Sequence, residues 1–295
     1  MALLLLSGKT LAGNLVAEQA MGIKQGVEIR QWTYLSDGLR VRGELYLPPD
    51  PGKRPLVVFC HDGISGISKE HRLSSIRLAR AGYVVFSPSY RGEDGSEGMI
   101  EIAKGEVNDV LAVLPLLTAL DQVDDQRVAL VGTSHGALIC TLAAARTNQV
   151  KALVLAYGVM DIYRWWYYLR DAGKLGNDPI TDRTYGRGPD ARPDSFAIRN
   201  GLSVADRITC PVLILQGRKD DIVPAEQAYF MSRKLTELGK PVQVEVYPDC
   251  LHGFLVYAPY IDDADAAEKN QTEKAWTTML RFFDKTLDGR NNPTE

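Results

Sequence analysis

The stretch RVALVGTSHGALICTLAAA, residues 127–145, changes character at a single serine. An apolar run typical of a buried strand ends at Thr133, and an apolar run of helical character follows Ser134. Gly132 and Gly136 flank the serine two residues away on each side, in the pattern Gly-x-Ser-x-Gly. A sharp strand-to-helix corner lifts a serine hydroxyl clear of the backbone, and glycines are needed where neighbouring backbone leaves no room for side chains. The pattern therefore predicts that Ser134 lies at the edge of a sheet.

The segments on either side of this corner alternate between strand and helix patterns. Continuous apolar runs, as found in strands buried on both faces, are followed by stretches with helical spacing. Before them, VEIRQWTYLSDGLRVRGELYLP, residues 27–48, consists of two alternating runs joined at Ser36-Asp37-Gly38. The sequence thus predicts an α/β fold with a mostly parallel central sheet, an N-terminal antiparallel hairpin and helices on both faces.

The predicted domain organisation is an N-terminal extension, residues 1–26, followed by one α/β domain, residues 27–295. Residues 159–207 interrupt the alternation because they hold no clear strand and include a stretch rich in Gly, Pro and Asp. Segments of this length are typical of lids, binding loops or disordered insertions. We expect a lid-like insertion at the sheet edge that carries Ser134.

Two later strands end in residues that can activate a serine. The strand PVLILQG is followed by Asp220 and Asp221, and the strand VQVEVYP is followed by His252. The carboxyl ends of parallel strands meet at one edge of a sheet, so these side chains are expected near Ser134. A serine hydroxyl is a weak nucleophile that needs a positioned base. The order Ser, Asp, His after three strands carries the prediction, since Gly-x-Ser-x-Gly alone also arises by chance.

These features resemble the α/β-hydrolase family, in the branch of dienelactone-hydrolase-like esterases and the catalytic domains of prolyl-oligopeptidase-like serine peptidases. The resemblance covers nearly the whole chain after Val27. The stretches that carry it are HDG, GYVVFSPSYRG, GEVNDVLAVL, GTSHG, QGRKDDIVP and LHGF. It implies that Ser134 is the nucleophile and His252 the general base. The family acid follows three residues after the glycine that ends its strand, which favours Asp220 and leaves Asp221 as the alternative.

An oxyanion hole requires two donors close to the serine. The first turn of a helix leaves its amides unpaired, so the N–H of His135 is one candidate. The resemblance implies a second donor from the loop HDGISG, residues 61–66, where many relatives carry His-Gly-Gly and Asp62 departs from that pattern. We assign this donor to the backbone N–H of Gly63 or Ile64.

A run of four aromatic residues lies inside the insertion: Trp165, Trp166, Tyr167 and Tyr168. Four consecutive side chains cannot all point one way from a helix or a strand, so some should face a cavity. The run is therefore predicted to line the substrate pocket, and a plain core role is the alternative.

Composition and charge restrict partners and cofactors. The net charge is −3 over 295 residues and no basic run occurs, which disfavours nucleic acid. The four cysteines occur singly, so neither a zinc site nor a disulfide framework is predicted, and no metal or cofactor is expected. The apolar run Leu3 to Leu6 is too short to span a membrane. It is either a remnant of an export signal or an N-terminal helix. A cytoplasmic location is slightly favoured over export or association with the cell envelope. The sequence leaves open whether the protein forms a homo-oligomer.

The sequence as a whole predicts a serine hydrolase that cleaves small carboxylic esters through an acyl-enzyme. A peptidase of the oligopeptidase type is the alternative, although only about 30 residues precede the first predicted strand, too few for the propeller of such relatives. A catalytically silent binding protein on the same fold is the second alternative.

Three local expectations concern residues outside the predicted site. Arg91 is predicted to pin its loop through Glu106 or Asp109. His71 is expected on a solvated helix face, and Pro115 is expected to kink or break its helix.

Overall fold

The computed structural model describes residues 14–176 and 179–288, and the apolar run Leu3 to Leu6 lies outside them. The strands are β1 (Leu15–Lys24), β2 (Val27–Ser36), β3 (Leu39–Leu47), β4 (Arg54–Cys60), β5 (Val84–Pro88), β6 (Val123–Thr133), β7 (Ala152–Ala156), β8 (Val212–Gly217) and β9 (Val242–Tyr247). Among the described residues they form one nine-stranded sheet in the order β1-β2-β3-β5-β4-β6-β7-β8-β9. The pairs from β5 through β4 to β9 are parallel, as predicted.

The N-terminal part of the sheet is antiparallel. Strands β2 and β3 form the predicted hairpin, whose last pair joins Ser36 to Leu39. Asp37 and Gly38 in the turn both have positive φ, which is the backbone of a tight hairpin turn. Strand β1, which the sequence analysis did not predict, adds an outer antiparallel strand to β2. Most of its residues are exposed, so it contributes main-chain pairing rather than core.

Helices cover both faces of the sheet. They are α1 (Lys69–Arg80), α2 (Gly105–Thr118), α3 (His135–Ala144), α4 (Ile162–Asp171), α5 (Pro179–Thr181), α6 (Gly188–Ala191), α7 (Pro193–Ala197), α8 (Glu226–Glu237) and α9 (Ala266–Leu287), with a π-helical turn at Asp182–Gly186 and a 3₁₀ helix at Gly201–Arg207. Helices α2, α3 and α8 bury side chains on one face, and α1 and α9 on the other. Alternate residues of each central strand face opposite cores: Val58 faces the first and Val57 the second.

The insertion, residues 159–207, contains no strand in its described part and folds as short helices. Its side chains form a third apolar cluster, which includes Trp166, Tyr185 and Phe196. Ile102 and Val223, from loops that follow strands of the sheet, belong to the same cluster. The insertion is therefore packed onto the edge of the sheet where the parallel strands end.

The expectation for His71 was wrong, and the expected break at Pro115 does not occur. Pro115 lies inside α2, which continues to Thr118 without a break. Since Pro115 is exposed, water can satisfy the carbonyl that loses its helical partner. His71 is fully buried: its ring stacks on Phe59 at 4.0 Å between centroids, and its Nε2–H donates to the Phe59 carbonyl at 3.1 Å. Burial lowers the pKa of His71 well below its ordinary value.

Arg91 was predicted to contact Glu106 or Asp109, and the structure shows the contact with Asp109. The guanidinium of Arg91 contacts the Asp109 carboxylate, with Nη2 to Oδ1 at 2.7 Å, and both side chains are buried. The other candidate, Glu106, instead accepts the backbone N–H groups of Glu101 and Ile102 at 2.6 and 2.9 Å. Each carboxylate thus fixes a different part of the loop that follows β5.

Candidate active site

The backbone at Ser134 turns sharply between β6 and α3. Its φ is 49° and its ψ is −114°, a strained conformation for a residue with a side chain. A Cβ atom on Gly136 would collide with the carbonyl of Cys60, and one on Gly132 would collide with the carbonyl of Gly136. The two glycines are therefore required because β4, β6 and α3 approach each other too closely for side chains, and the corner projects the Ser134 hydroxyl from the sheet edge.

The two predicted partners form a hydrogen-bonded chain with this hydroxyl, in which His252 lies between Ser134 and Asp220. His252 Nε2 is 3.0 Å from Ser134 Oγ, and His252 Nδ1 is 2.8 Å from Asp220 Oδ2. A carboxylate only accepts, so Nδ1 carries a proton and Nε2 of the neutral ring is free to accept the serine proton. The Asp220 side chain is fully buried, while that of His252 is 21% exposed. Acyl transfer by a serine nucleophile requires contacts of this kind between the serine, a base and an orienting acid.

The neighbouring Asp221 does not contact the histidine. Its side chain is 68% exposed and pairs with Lys174, with Nζ to Oδ2 at 2.7 Å. This contact lowers the pKa of Asp221. The geometry thus favours Asp220 over the alternative that the sequence left open.

The predicted oxyanion loop lies beside the serine. Gly63 has a φ of 64°, and its carbonyl accepts a hydrogen bond from Nδ1–H of His135 at 2.8 Å. Gly63, Ile64, Ser134 and His135 all line one cavity. The backbone N–H groups of Gly63, Ile64 and His135 form no hydrogen bond with any other described residue, so they are available to an anion.

A buried ion pair supports this loop, and the sequence analysis did not identify it. His61 Nε2 lies 3.1 Å from Glu93 Oε2, and His61 Nδ1 lies 2.8 Å from the carbonyl of Asp62. Both ring nitrogens therefore face acceptors, which favours the charged imidazolium. Burial works to lower the pKa of His61, but the adjacent Glu93 carboxylate raises it above its ordinary value. The motif SYRGED gave no signal of this contact because the two residues are far apart in sequence.

Further contacts join the loops around the histidine. The hydroxyl of Tyr257 donates to Asp62 Oδ1 at 2.6 Å, which ties the oxyanion loop to the loop that carries His252. Burial raises the pKa of Asp62, and the Tyr257 hydrogen bond opposes that rise. The ring of Tyr157 packs edge-on against His252 at 5.0 Å between centroids. Thus Asp62, at the position where the sequence departs from His-Gly-Gly, is a structural link between two loops of the site.

The cavity beside Ser134 has a volume of about 180 Å³ and a mostly apolar lining. Its walls outside the serine corner come from the insertion and from loops: Ile102, Leu138, Val159, Ile162, Trp165, Thr181, Tyr185, Arg199, Ile222 and Val223. Arg199 is 4% exposed and donates to the backbone carbonyls of Glu101, Ile102 and Ser195. It thereby ties the insertion to the loop that precedes α2.

The structure separates the four aromatic residues that were predicted to line the pocket. In the described part of the chain only Trp165 of the run reaches the cavity. Trp166 is 8% exposed and belongs to the insertion's own core, whereas Tyr167 is 37% exposed. The Tyr168 hydroxyl donates to the carbonyl of Asp221 at 2.8 Å. A helix projects successive side chains about 100° apart, so the four residues of α4 face different surroundings.

Two other classes of site are absent from the described residues. No three His, Cys, Asp or Glu side chains converge as metal ligands within residues 14–176 and 179–288. Over the same residues, no helix combines the length and the apolar character that a membrane span requires.

Comparisons with known proteins show which family and which relatives the chain resembles. The model of the dienelactone hydrolase family matches residues 41–287. A Bacillus subtilis protein named "Uncharacterized peptidase YtmA" is 30% identical over 231 residues, which cover 78% of this chain and 88% of that protein. A Salmonella typhimurium protein named "Putative carboxymethylenebutenolidase" is 26% identical over 245 residues, which cover 79% of this chain and 77% of that protein.

A solved structure shows the same fold. Acylaminoacyl peptidase from Pyrococcus horikoshii matches with a TM-score of 0.74 at 19% identity, over 92% of this chain but only 44% of its own. The present chain therefore spans less than half the length of that protein. The fold predicted from the sequence is confirmed, and the chain belongs to the dienelactone hydrolase family, whose members share the α/β-hydrolase fold.

Proposed function

We propose that the protein hydrolyses carboxylic esters of small molecules through an acyl-enzyme on Ser134. His252 takes the proton of the serine hydroxyl as Oγ attacks the ester carbonyl, and Asp220 stabilises the resulting imidazolium. The tetrahedral oxyanion accepts hydrogen bonds from the His135 amide and from an amide at Gly63 or Ile64. The imidazolium then protonates the leaving alcohol, and water, activated by the same histidine, releases the acid.

The observation that carries this proposal is the pair of contacts from His252 to Ser134 and Asp220, at 3.0 and 2.8 Å. These contacts occur at the mouth of a cavity that also exposes unpaired amides. This grouping supports acyl transfer, which requires a nucleophile, a base, an orienting acid and oxyanion donors in one place. A silent binding protein would not need the strained serine corner.

The cavity supports a preference for compact apolar acyl groups. Ile162, Trp165 and Tyr185 of the insertion line it together with Ile222 and Val223 of the loop after β8. A cavity of about 180 Å³ suits an aryl or a short branched acyl group better than a long flexible chain. We therefore assign residues 159–207 the role of a lid that selects the acyl group.

Peptide cleavage is the second candidate, and one specific observation favours it. The Bacillus subtilis relative at 30% identity bears the name of a peptidase. The same serine, histidine and aspartate would cleave an amide, with the leaving amine protonated by His252. The two candidates differ in the leaving group and share the machinery.

Two measurements test the proposal. Ser134→Ala should keep the fold and lose nearly all turnover of p-nitrophenyl acetate and benzoate, and a fluorophosphonate should label the wild type at Ser134 alone. Labelling of another serine, or undiminished turnover by the alanine variant, would overturn the assignment. A comparison of kcat/KM for p-nitrophenyl esters and aminoacyl anilides then decides between ester and peptide cleavage, since an anilide preference would favour the second candidate.

A further inference from the structure

The turn that carries Asp220 is held from two sides. We call residues 219–223 the acid turn. From inside, Asp220 Oδ1 accepts the backbone N–H groups of Ile222 and Val223 at 3.0 and 2.8 Å, and Gln216 Nε2 donates to Asp220 Oδ2 at 3.2 Å. These contacts shape the turn locally, but they do not fix its outer carbonyls.

The outer carbonyls of the acid turn are held by two side chains of α4 and by Lys174, which follows α4. Trp165 Nε1 donates to the Ile222 carbonyl at 2.9 Å, and the Tyr168 hydroxyl donates to the Asp221 carbonyl at 2.8 Å. Lys174 Nζ contacts the Asp221 carbonyl at 2.8 Å and the Asp221 carboxylate at 2.7 Å. Two helix side chains one turn apart and one cation therefore converge on two consecutive peptide groups.

The end of α4 is built to deliver this lysine. Gly173 has a φ of 66°, which reverses the chain after the helix. The N–H of Lys174 then donates to the carbonyl of Leu169 at 2.7 Å, a pattern that closes the helix end. The backbone of Lys174 is fixed in this way, and its side chain contacts the acid turn at Asp221.

From these contacts we infer that Tyr168 and Lys174 are positioning residues, which hold Asp220 in register with His252 by fixing the outer face of the acid turn. The inference rests on the proposed function, because it assigns Asp220 the role of the triad acid. It gives part of the insertion a role in the chemistry, in addition to the selection of the acyl group.

Trp165 connects the two roles. Its ring lines the cavity, while its Nε1–H holds the acid turn. An acyl group that packs against this ring thus contacts a side chain that is hydrogen-bonded to Ile222, two residues after Asp220. Part of the effect of the acyl group should therefore appear in kcat.

The test compares two tyrosines of one helix. Tyr168→Phe removes only the hydroxyl that holds Asp221, and Lys174→Met removes the cation but keeps most of the side-chain length. Tyr167→Phe is the matched control, because Tyr167 is exposed and its hydroxyl bonds to no described residue. The readouts are kcat and KM for an acetyl and a benzoyl ester, the pH profile of kcat/KM, and the thermal unfolding midpoint.

We expect Tyr168→Phe to lower kcat several-fold, and the double variant with Lys174→Met to lower it on the order of tenfold, since small displacements of a triad member are costly. KM should stay within about twofold for both esters. The acid-side midpoint of the pH profile should move to lower pH, because a displaced Asp220 stabilises the protonated His252 less well. A purely structural effect would lower the unfolding midpoint and leave the pH profile in place.

Equal kcat values for Tyr168→Phe and Tyr167→Phe would overturn the inference, as would a loss confined to KM with an unmoved pH profile. If Tyr168→Phe does not fold, Lys174→Met at its exposed position gives the same readouts. Fluorophosphonate labelling distinguishes failure of the proposed function from failure of the positioning role alone. Absence of label on Ser134 contradicts the proposed function itself, whereas normal labelling with no effect of either variant contradicts only the role of α4.

Discussion

At the scale of single residues, Asp220 and Asp221 show how strongly surroundings separate two identical side chains. The first is buried against His252 Nδ1, and the second is exposed and paired with Lys174. Only the first can orient the imidazole and stabilise its positive charge. The main-chain carbonyl of Asp221, which accepts from Tyr168, does not depend on the side chain.

We therefore predict that Asp220→Asn lowers kcat for ester hydrolysis on the order of 10⁴-fold, because the amide favours the wrong histidine tautomer. Asp221→Asn serves as the matched control and should cost less than about tenfold, since it weakens a single exposed ion pair. Steady-state kinetics on p-nitrophenyl acetate would measure both. A larger loss in Asp221→Asn would show that the acid had been misassigned.

The residues brought together at the site could be predicted only where chain position constrains them. Ser134 and His252 follow strands whose ends must meet, so spacing alone placed them at one edge. The contact between Asp62 and Tyr257 joins residues 195 positions apart and depends on the exact packing of two loops. No local pattern encodes such a contact, and the same is true of His61 with Glu93.

At the scale of elements, the side chains on different sides of helix α4 contact different parts of the protein. Trp165 faces the cavity, Trp166 packs against Phe196 at 6.2 Å between centroids, and Tyr168 faces the acid turn. The sequence predicted that the run could not point one way, but the direction of each side chain depends on where the helix rests. Strand β1 was missed for a related reason: it is paired with β2 but buries no apolar face, so it lacks the alternation that marks a strand.

This difference predicts that two adjacent substitutions change different properties, substrate selectivity in one case and stability in the other. Trp165→Ala should change the ratio of kcat/KM between benzoyl and acetyl esters on the order of tenfold, because it removes a wall of the cavity. Trp166→Ala should instead lower stability by about 3 kcal/mol, because it empties a buried site in the core of the insertion. Kinetics on the two esters and urea unfolding would measure the effects. Similar changes in selectivity for both variants would contradict the assignment of only one tryptophan to the cavity.

At the scale of the whole molecule, one buried cation links the antiparallel hairpin to the insertion. Arg91, just after β5, contacts Asp37 in the hairpin turn at 2.8 Å, Asp109 on α2 at 2.7 Å and Glu101 at 3.3 Å. The carbonyl of Glu101 in turn accepts from Arg199 of the insertion. The loop between β5 and α2 is thus fixed at both ends by guanidinium groups, and Ile102 within it forms part of the cavity wall.

The two carboxylates nearest to Arg91 should contribute unequally to the free energy of unfolding. The side chain of Asp109 is fully buried, so Asp109→Asn leaves the buried guanidinium short of its main counter-charge and should cost about 3 kcal/mol. Asp37 contacts the same Nη2 atom, but its side chain is 49% exposed, so Asp37→Asn should cost less than about 1 kcal/mol. Urea unfolding of the two variants measures both values against the wild type. Equal losses would mean that burial does not set the strength of these contacts, and a larger loss for Asp37→Asn would place the main link in the hairpin turn instead of in α2.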